Sequence, residues 1–300
     1  MTTTQRKPRA TPAASRIRHV RDSMERAVWT FGVWALFAIL ILGPLLTVLA
    51  FSFTPSVFEG VGRFTSQWYR QLFSKPEYYG PLIRSLQIAL IVVVVQLGFG
   101  TLVAYSTIRG KIMGAKTLDA MSNITIALPS VVVGLALLAF YGPYGPLNAA
   151  SDLIFGNPIA LTWTLAIVVL AHVLETFPYM VRSVSAVLQK MDPNLESAAR
   201  SLGASNWHVF HTIVVPQLRP GLVAGAVLVL SRSVAEFGAT IIVVSALLRT
   251  APIAIYGEAE SGRLEFAAAY SVILMLVSFA AYLLMTRWLV RRDIEGVAVA

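Results

Sequence analysis

Long apolar runs, bounded by polar, charged or Gly/Pro-rich segments, divide the 300-residue chain at about 28–53, 82–108, 119–141, 159–181, 220–247 and 265–288. Each run holds roughly 20 residues or more, enough for a helix to cross ~30 Å of hydrocarbon. In lipid a helix also satisfies all its backbone polar groups internally. The pattern predicts an all-α, polytopic membrane bundle of six transmembrane helices. It divides the chain into a basic tail at 1–27, one membrane domain over 28–290 containing a long loop at about 182–219, and a short tail at 291–300.

Composition agrees, with 56% hydrophobic residues, 13% charged residues and a mean hydropathy of +0.70. The net charge of +9 could mark a nucleic-acid binder, so the placement of the cations has to decide. With the tail inside, 17 of the 24 Lys and Arg fall in inner segments, six fall in outer ones, and Arg232 lies within a span. This asymmetry follows the positive-inside rule, so it predicts cytoplasmic termini, a lipid-embedded chain and no nucleic-acid partner. The first apolar run is too long for the core of a cleavable signal peptide and reads as a retained span. The chain has no cysteine, which removes disulfides, Cys-ligated zinc and thiol catalysis together.

Trp68, Tyr69, Tyr78 and Tyr79 in the first outer loop suit a membrane boundary, each having an apolar ring and a polar tip. The stretch "YGPYGPLNAASDLIFGNP" must turn or re-enter between the third and fourth spans. In the third span Pro129 removes a helix donor and Gly134 permits close backbone approach. Two readings remain open there: a kinked, tightly packed helix, or a mobile element lining a pathway.

The inner loop carries "ESAARSLGASNWHVFHTIVVP", a polar island from Glu196 to Pro216. Asp192 is a good N-cap and Pro193 a good first helical residue. Leu195, Ala198, Ala199 and Leu202 then fall at i, i+3, i+4 and i+7, a narrow apolar stripe on one face. Gly203 is a natural stop, and Ser205 can cap a second short helix carrying Trp207 and Phe210 toward Pro216. Helices this short need packing, against either their own bundle or another protein. His208 and His211 could share a face, but no third ligand is near, so no metal site is expected.

This segment resembles the cytoplasmic loop of the inner-membrane permeases of ABC importers, whose pattern is E-A-A, three residues, G, nine residues, I-x-L-P. Aligned on Gly203, Ala198 and Ala199 are in place, as are Ile213, Val215 and Pro216, with Val215 where leucine is expected. Ser197 stands at the motif's carboxylate position, with Glu196 one residue before it. That departure puts a specific role for the carboxylate in doubt. The resemblance implies a coupling helix that inserts into a groove of a separate ATPase subunit. It points to Leu195, Ala198, Ala199, Leu202, Gly203, Ala204, Trp207, Phe210, Ile213 and Pro216 as the coupling residues.

It further implies two ATPase subunits, a second permease subunit, identical or paralogous, an extracytoplasmic binding protein, and a bacterial inner-membrane location. No phosphate loop of the form G-x-x-x-x-G-K-[ST] occurs in the chain. The chain therefore reads as a transport subunit and not an enzyme, with no catalytic residues and no cofactor, ATP and Mg being bound by the partner.

Arg232 and Glu236 lie at i and i+4 inside the fifth span, on one helical face where they can pair. Ionisable groups at membrane depth are costly and normally face the bundle interior or a wet path. An internal salt bridge and a pathway element both fit. The stretch "SRSVAEFGAT" is similar to the R-x-x-x-E-F-G-A-T segment of sulfate and molybdate permeases, and "LPSVVVGLALLAFYGPYGPL" to their third-span region. The resemblance implies an oxyanion substrate and a pathway or gate at Arg232, Glu236, Phe237, Gly238, Pro129 and Gly134. Iron(III), phosphonate and polyamine permeases share parts of these stretches. A different class, an ion-gradient-driven secondary transporter, would use the intramembrane pair but leave the inner loop without a purpose.

Overall fold

The computed structural model describes residues 12–56, 64–110, 114, 117, 120, 124–159 and 161–297, with side-chain surroundings from residue 24 to 287. The described backbone is helical, and six helical segments are long and apolar enough to cross a membrane. The first begins in α1 (Pro12–Phe37) and passes through a π-helical turn at Ala38–Leu42 into α2 (Gly43–Phe51). Its side chains face outward, Trp29, Phe31 and Trp34 among them, as expected where lipid replaces protein neighbours. Residues 1–11 of the predicted tail and most of the predicted inner segment 109–118 lie outside the described residues.

The short α3 (Gln67–Leu72) is tied back to the end of α2. The Trp68 indole donates to the Thr54 carbonyl at 2.8 Å, and the Tyr69 hydroxyl donates to Ser52 Oγ at 2.7 Å. These aromatic residues thus hold one end of the bundle together. The long α4 (Pro76–Ile108) follows, and its 33 residues extend about 50 Å, well past the hydrocarbon layer.

The third span departs from the predicted 119–141. A helical segment at 124–127 stops at Pro129, which adopts φ −59° and ψ 133°, and α5 restarts at Ser130 (Ser130–Tyr141). Lacking an N–H, proline serves here as the boundary between two helices and not as a kink within one. A tight break at Gly142–Gly145 leads into α6 (Pro146–Phe155), so the apolar segment runs on to Phe155.

The centre of the molecule is made by α4, α7 (Leu165–Leu188) and α10 (Val215–Val234), each packed on the other two. Their shared core includes Ile88, Val92, Val168, Met180, Val184, Val229 and Leu230. Glycines permit the contact: a Cβ on Gly225 would lie 2.6 Å from Met180 Sδ, and one on Gly221 would lie 2.9 Å from the Ser183 carbonyl. The inner loop forms α8 (Pro193–Ser201) and α9 (Asn206–Val209), joined through a π-helical turn at Phe210–Val214 to α10.

The fifth span is not one helix over 220–247. It runs from Asn206 to Val234, breaks at 235–237, and is followed by the short α11 (Gly238–Val243), which packs on α5. Next come α12 (Ala251–Glu260) and α13 (Leu264–Val297), which packs against α2, α10 and α12.

Candidate functional site

Two places gather polar chemistry: the inner loop and the middle of the bundle. In the loop, Asp192 caps α8 by accepting from the Asn194 N–H at 2.9 Å, and Ser205 caps α9 by accepting from the His208 N–H at 3.2 Å. Gly203 sits between them at φ +89°, a conformation that L side chains disfavour. The predicted helix, turn, helix is present.

The two faces of α8 differ. Leu195 and Ala198 are exposed and Leu202, just past the helix, is 90% exposed, while Trp207 on α9 is 72% exposed. Together they form an apolar strip that the bundle does not cover. Ala199 and Ala204 are half-buried against the core. Phe210, Ile213 and Pro216, grouped with the coupling surface from sequence, turn inward; the Phe210 ring meets Tyr105 edge-on at 5.2 Å. His208 and His211 are exposed, and the His211 ring lies 6.0 Å from Trp207.

The opposite face of α8 is held by the carboxylate that the sequence left in doubt. Glu196 is 2% exposed and takes three hydrogen bonds. They come from the Tyr105 hydroxyl at 2.8 Å, Arg109 Nε at 2.7 Å and Arg200 Nη2 at 2.8 Å. Tyr105 lies in the last turn of α4 and Arg109 immediately follows it, so Glu196 fastens the loop to the base of that helix. Burial by itself would raise the Glu196 carboxyl, but the hydrogen bonds from Tyr105 and Arg109 and the charges of Arg109 and Arg200 outweigh it. They hold it below its ordinary value. Ser197, at the motif's carboxylate position, is exposed, and its hydroxyl donates back to the Pro193 carbonyl at 3.3 Å.

In the middle of the bundle the Arg232–Glu236 salt bridge, one of the two readings open from sequence, is not among the ion pairs of the described residues. The helix ends at Val234, so the two residues no longer share a helical face. Glu236 instead caps α11, accepting from the N–H groups of Ala239 at 2.9 Å and Thr240 at 3.1 Å, and from the Thr240 hydroxyl. A side chain that satisfies the donors of a new helix start competes with continuation of the old one. Arg232 lies over the Tyr179 ring, 5.3 Å from its centroid, a cation–π contact.

Both residues line a polar cavity of about 210 Å³ with Ser130, Glu175, Thr176 and Gly238. Phe237, another lining residue, packs on Tyr256 at 5.2 Å. Pro129 sets the start of α5 beside this cavity, and Gly134 lets α5 approach α11: a Cβ there would come within 2.6 Å of the Ala239 carbonyl oxygen. The six predicted pathway residues therefore converge on the contact between α5, α11 and the end of α10.

Sequence reasoning missed the rest of this network. Ser130 Oγ donates to Glu175 Oε2 at 3.3 Å, while Glu175 Oε1 has no partner among the described residues. His172 bridges Ser233 Oγ at 2.8 Å and Thr240 Oγ1 at 2.9 Å. Gln96 of α4 joins through Nε2, donating to the Val173 carbonyl at 2.7 Å and to Thr176 Oγ1 at 3.1 Å. The available signal was "LAHVLETF", a histidine and a glutamate within one apolar run, as costly there as Arg232.

Residues 96–292 match the family model described as the binding-protein-dependent transport system inner membrane component. The chain belongs to this family. It is 37% identical over 223 residues to the molybdenum transport system permease protein ModB of Escherichia coli (strain K12), covering 73% of this chain and 96% of that protein. It is 34% identical over 178 residues to the sulfate transport system permease protein CysT of the same strain, covering 58% of this chain and 62% of that protein. The fold is also that of a chain in the crystal structure of a bacterial ABC transporter involved in the import of alginate. That match has a TM-score of 0.72 at 15% identity and covers 91% of this chain and 98% of the other. The protein is thus an ABC importer permease with a multi-pass bundle.

Proposed function

We propose that this permease forms half of the pathway of an ATP-driven importer for a tetrahedral oxyanion, molybdate or sulfate. The observation that carries the substrate class is the 37% identity spanning 96% of a molybdenum permease. The geometry supports it: Arg232 faces a polar cavity with the hydroxyls of Ser130 and Thr176, while Glu236 is already engaged by the start of α11. An anion passing this point would meet the Arg232 guanidinium, a group that recognises oxyanions, beside the Glu175 carboxyl.

Coupling is assigned to the exposed strip of Leu195, Ala198, Leu202 and Trp207, which supplies the apolar contact a separate ATPase subunit needs. Glu196 on the opposite face would carry its movement into α4. Two permease subunits, two ATPases that bind ATP and Mg, and an external binding protein complete the assembly, with both termini of this chain in the cytoplasm.

The test is reconstitution of the chain with its ATPase and binding protein in proteoliposomes, measuring ATP-dependent uptake of labelled molybdate and sulfate against phosphonate, iron(III) and polyamine competitors. Uptake inhibited by molybdate or sulfate alone supports the reading. Uptake blocked only by another competitor, or driven by an ion gradient in this chain without ATP, refutes it. Arg232→Ala should lower uptake without lowering the yield of assembled complex; unchanged transport kinetics with reduced stability would leave Arg232 a packing residue only.

A further inference from the structure

The end of the bundle opposite the coupling loop holds arginines that the pathway above does not use. Arg84 lies two turns into α4, and its Nε donates to the Arg249 carbonyl at 3.1 Å. The next residue, Ser85, accepts from the Ala251 N–H through Oγ at 2.8 Å. Two successive residues of α4 thus grip the chain where it enters α12 and bring the two arginines together.

Arg84 is half-buried and Arg249 is exposed, and neither has a carboxylate partner among the described residues. The nearby Glu258 is committed to Arg263. Tyr270 of α13 is 1% exposed, lies in the field of the Arg84, Arg249 and Glu258 charges, and its hydroxyl has no hydrogen-bond partner among the described residues. The Thr250 hydroxyl, next to Arg249, is likewise buried without one. A buried hydroxyl without a partner costs stability, and no carboxylate neutralises either cation. One ligand would relieve both conditions, and its chemistry is that of an anion rich in acceptor oxygens.

We propose that Arg84, Arg249 and the Tyr270 hydroxyl form an oxyanion-binding site, separate from the Arg232 cavity, that receives the anion on the far side of the membrane from the coupling loop. Arg84 is 21 residues along α4 from Tyr105 and 12 from Gln96. At 1.5 Å per residue the site lies about 30 Å from the coupling end and about 18 Å from the level of the central cavity. An anion would occupy two stations in turn, one at the mouth and one at mid-depth. This inference rests on the oxyanion reading, and its test keeps the two apart.

Tyr270→Phe keeps the ring and removes only the unpartnered hydroxyl, so packing is preserved; Arg249→Gln removes one charge. Each variant is assembled with its ATPase and binding protein and assayed two ways: ATP-dependent molybdate uptake, and the shift in thermal midpoint caused by sodium molybdate or sodium sulfate, with sodium chloride as control. Hydrogen bonds to charged groups predict a rise in the KM for uptake of roughly tenfold or more per variant, with a smaller change in kcat. The anion-induced thermal shift should be lost, while the midpoint without anion is unchanged or higher for Tyr270→Phe. Wild-type oxyanion uptake with both variants equal to wild type in KM and in thermal response overturns the site and leaves the oxyanion reading intact. A wild-type complex that neither takes up nor is stabilised by either anion overturns both.

Discussion

Replacing Glu196 by Gln tests the link between the inner loop and α4. The wild-type carboxylate is 3% exposed at its side chain and pairs with Arg109, which is 12% exposed, so that bond is poorly screened; the pair with the 35% exposed Arg200 contributes little. Gln keeps the shape but turns an amide N–H₂ toward Tyr105 or Arg109 and leaves the Arg109 guanidinium without its counter-charge. Removing one partner of a buried pair costs about 3–5 kcal/mol. Taking the lower figure, detachment of the loop from α4 becomes more frequent by roughly two powers of ten.

Hydrogen exchange over 193–209 should accelerate by that factor, with 165–188 unaffected. In the reconstituted importer, ATP hydrolysis should persist while uptake per ATP falls several-fold, and Glu196→Asp should recover part of it. The same anchor predicts a pH dependence in the solubilised protein. The folded-state pKa of Glu196 lies below its ordinary 4.5, so its contribution is complete above that value and is lost as pH falls through the folded one. Loop protection should therefore be flat from neutral pH down to about 5 and then drop, and Glu196→Gln should abolish that drop. Wild-type exchange over 193–209 together with wild-type uptake per ATP in Glu196→Gln would refute the linkage.

Other expectations follow from single contacts. Leu202→Glu, at a 90% exposed position, should leave the stability of the isolated permease within ~0.5 kcal/mol of wild type yet abolish co-purification of the ATPase. Gly134→Ala places a methyl 2.6 Å from the Ala239 carbonyl oxygen, an overpacking cost of about 1–3 kcal/mol visible as a lower thermal midpoint and slower uptake. Gly203→Val forces a β-branched residue into φ +89° at a cost of about 1–3 kcal/mol. It should uncouple hydrolysis from uptake, as measured by the ratio of phosphate released to substrate imported.

Much of this was legible from one dimension because the hydrophobic pattern answers a one-dimensional question: whether a run is long and apolar enough to cross lipid. The first and sixth runs were placed within four residues, the second span starts six residues before its predicted 82, and the fourth lies six to seven residues beyond its predicted 159–181. The inner loop was also readable, since the Asp192 cap, the Gly203 turn and the Ser205 cap act within a few residues of themselves. The third and fifth spans shifted because Pro129 and Glu236 each end a helix and begin another inside apolar sequence, where hydropathy does not change. Glu196 was underrated for a different reason: its partners Tyr105 and Arg109 lie some ninety residues away.

By itself, then, the sequence determined the class of molecule and the helix, turn, helix of the loop between its fourth and fifth spans. These depend on transfer of apolar segments into lipid and on local backbone chemistry. Only the tertiary structure decided which polar groups meet. It parted Arg232 from Glu236 and closed the chain from Ser233 through His172 and Thr240 to Glu236. It also turned Glu196 inward and brought Arg84 beside Arg249 across 165 residues. Burial makes each such group depend on a partner, and the packing of α4, α7, α10 and their neighbours, not distance along the chain, selects that partner.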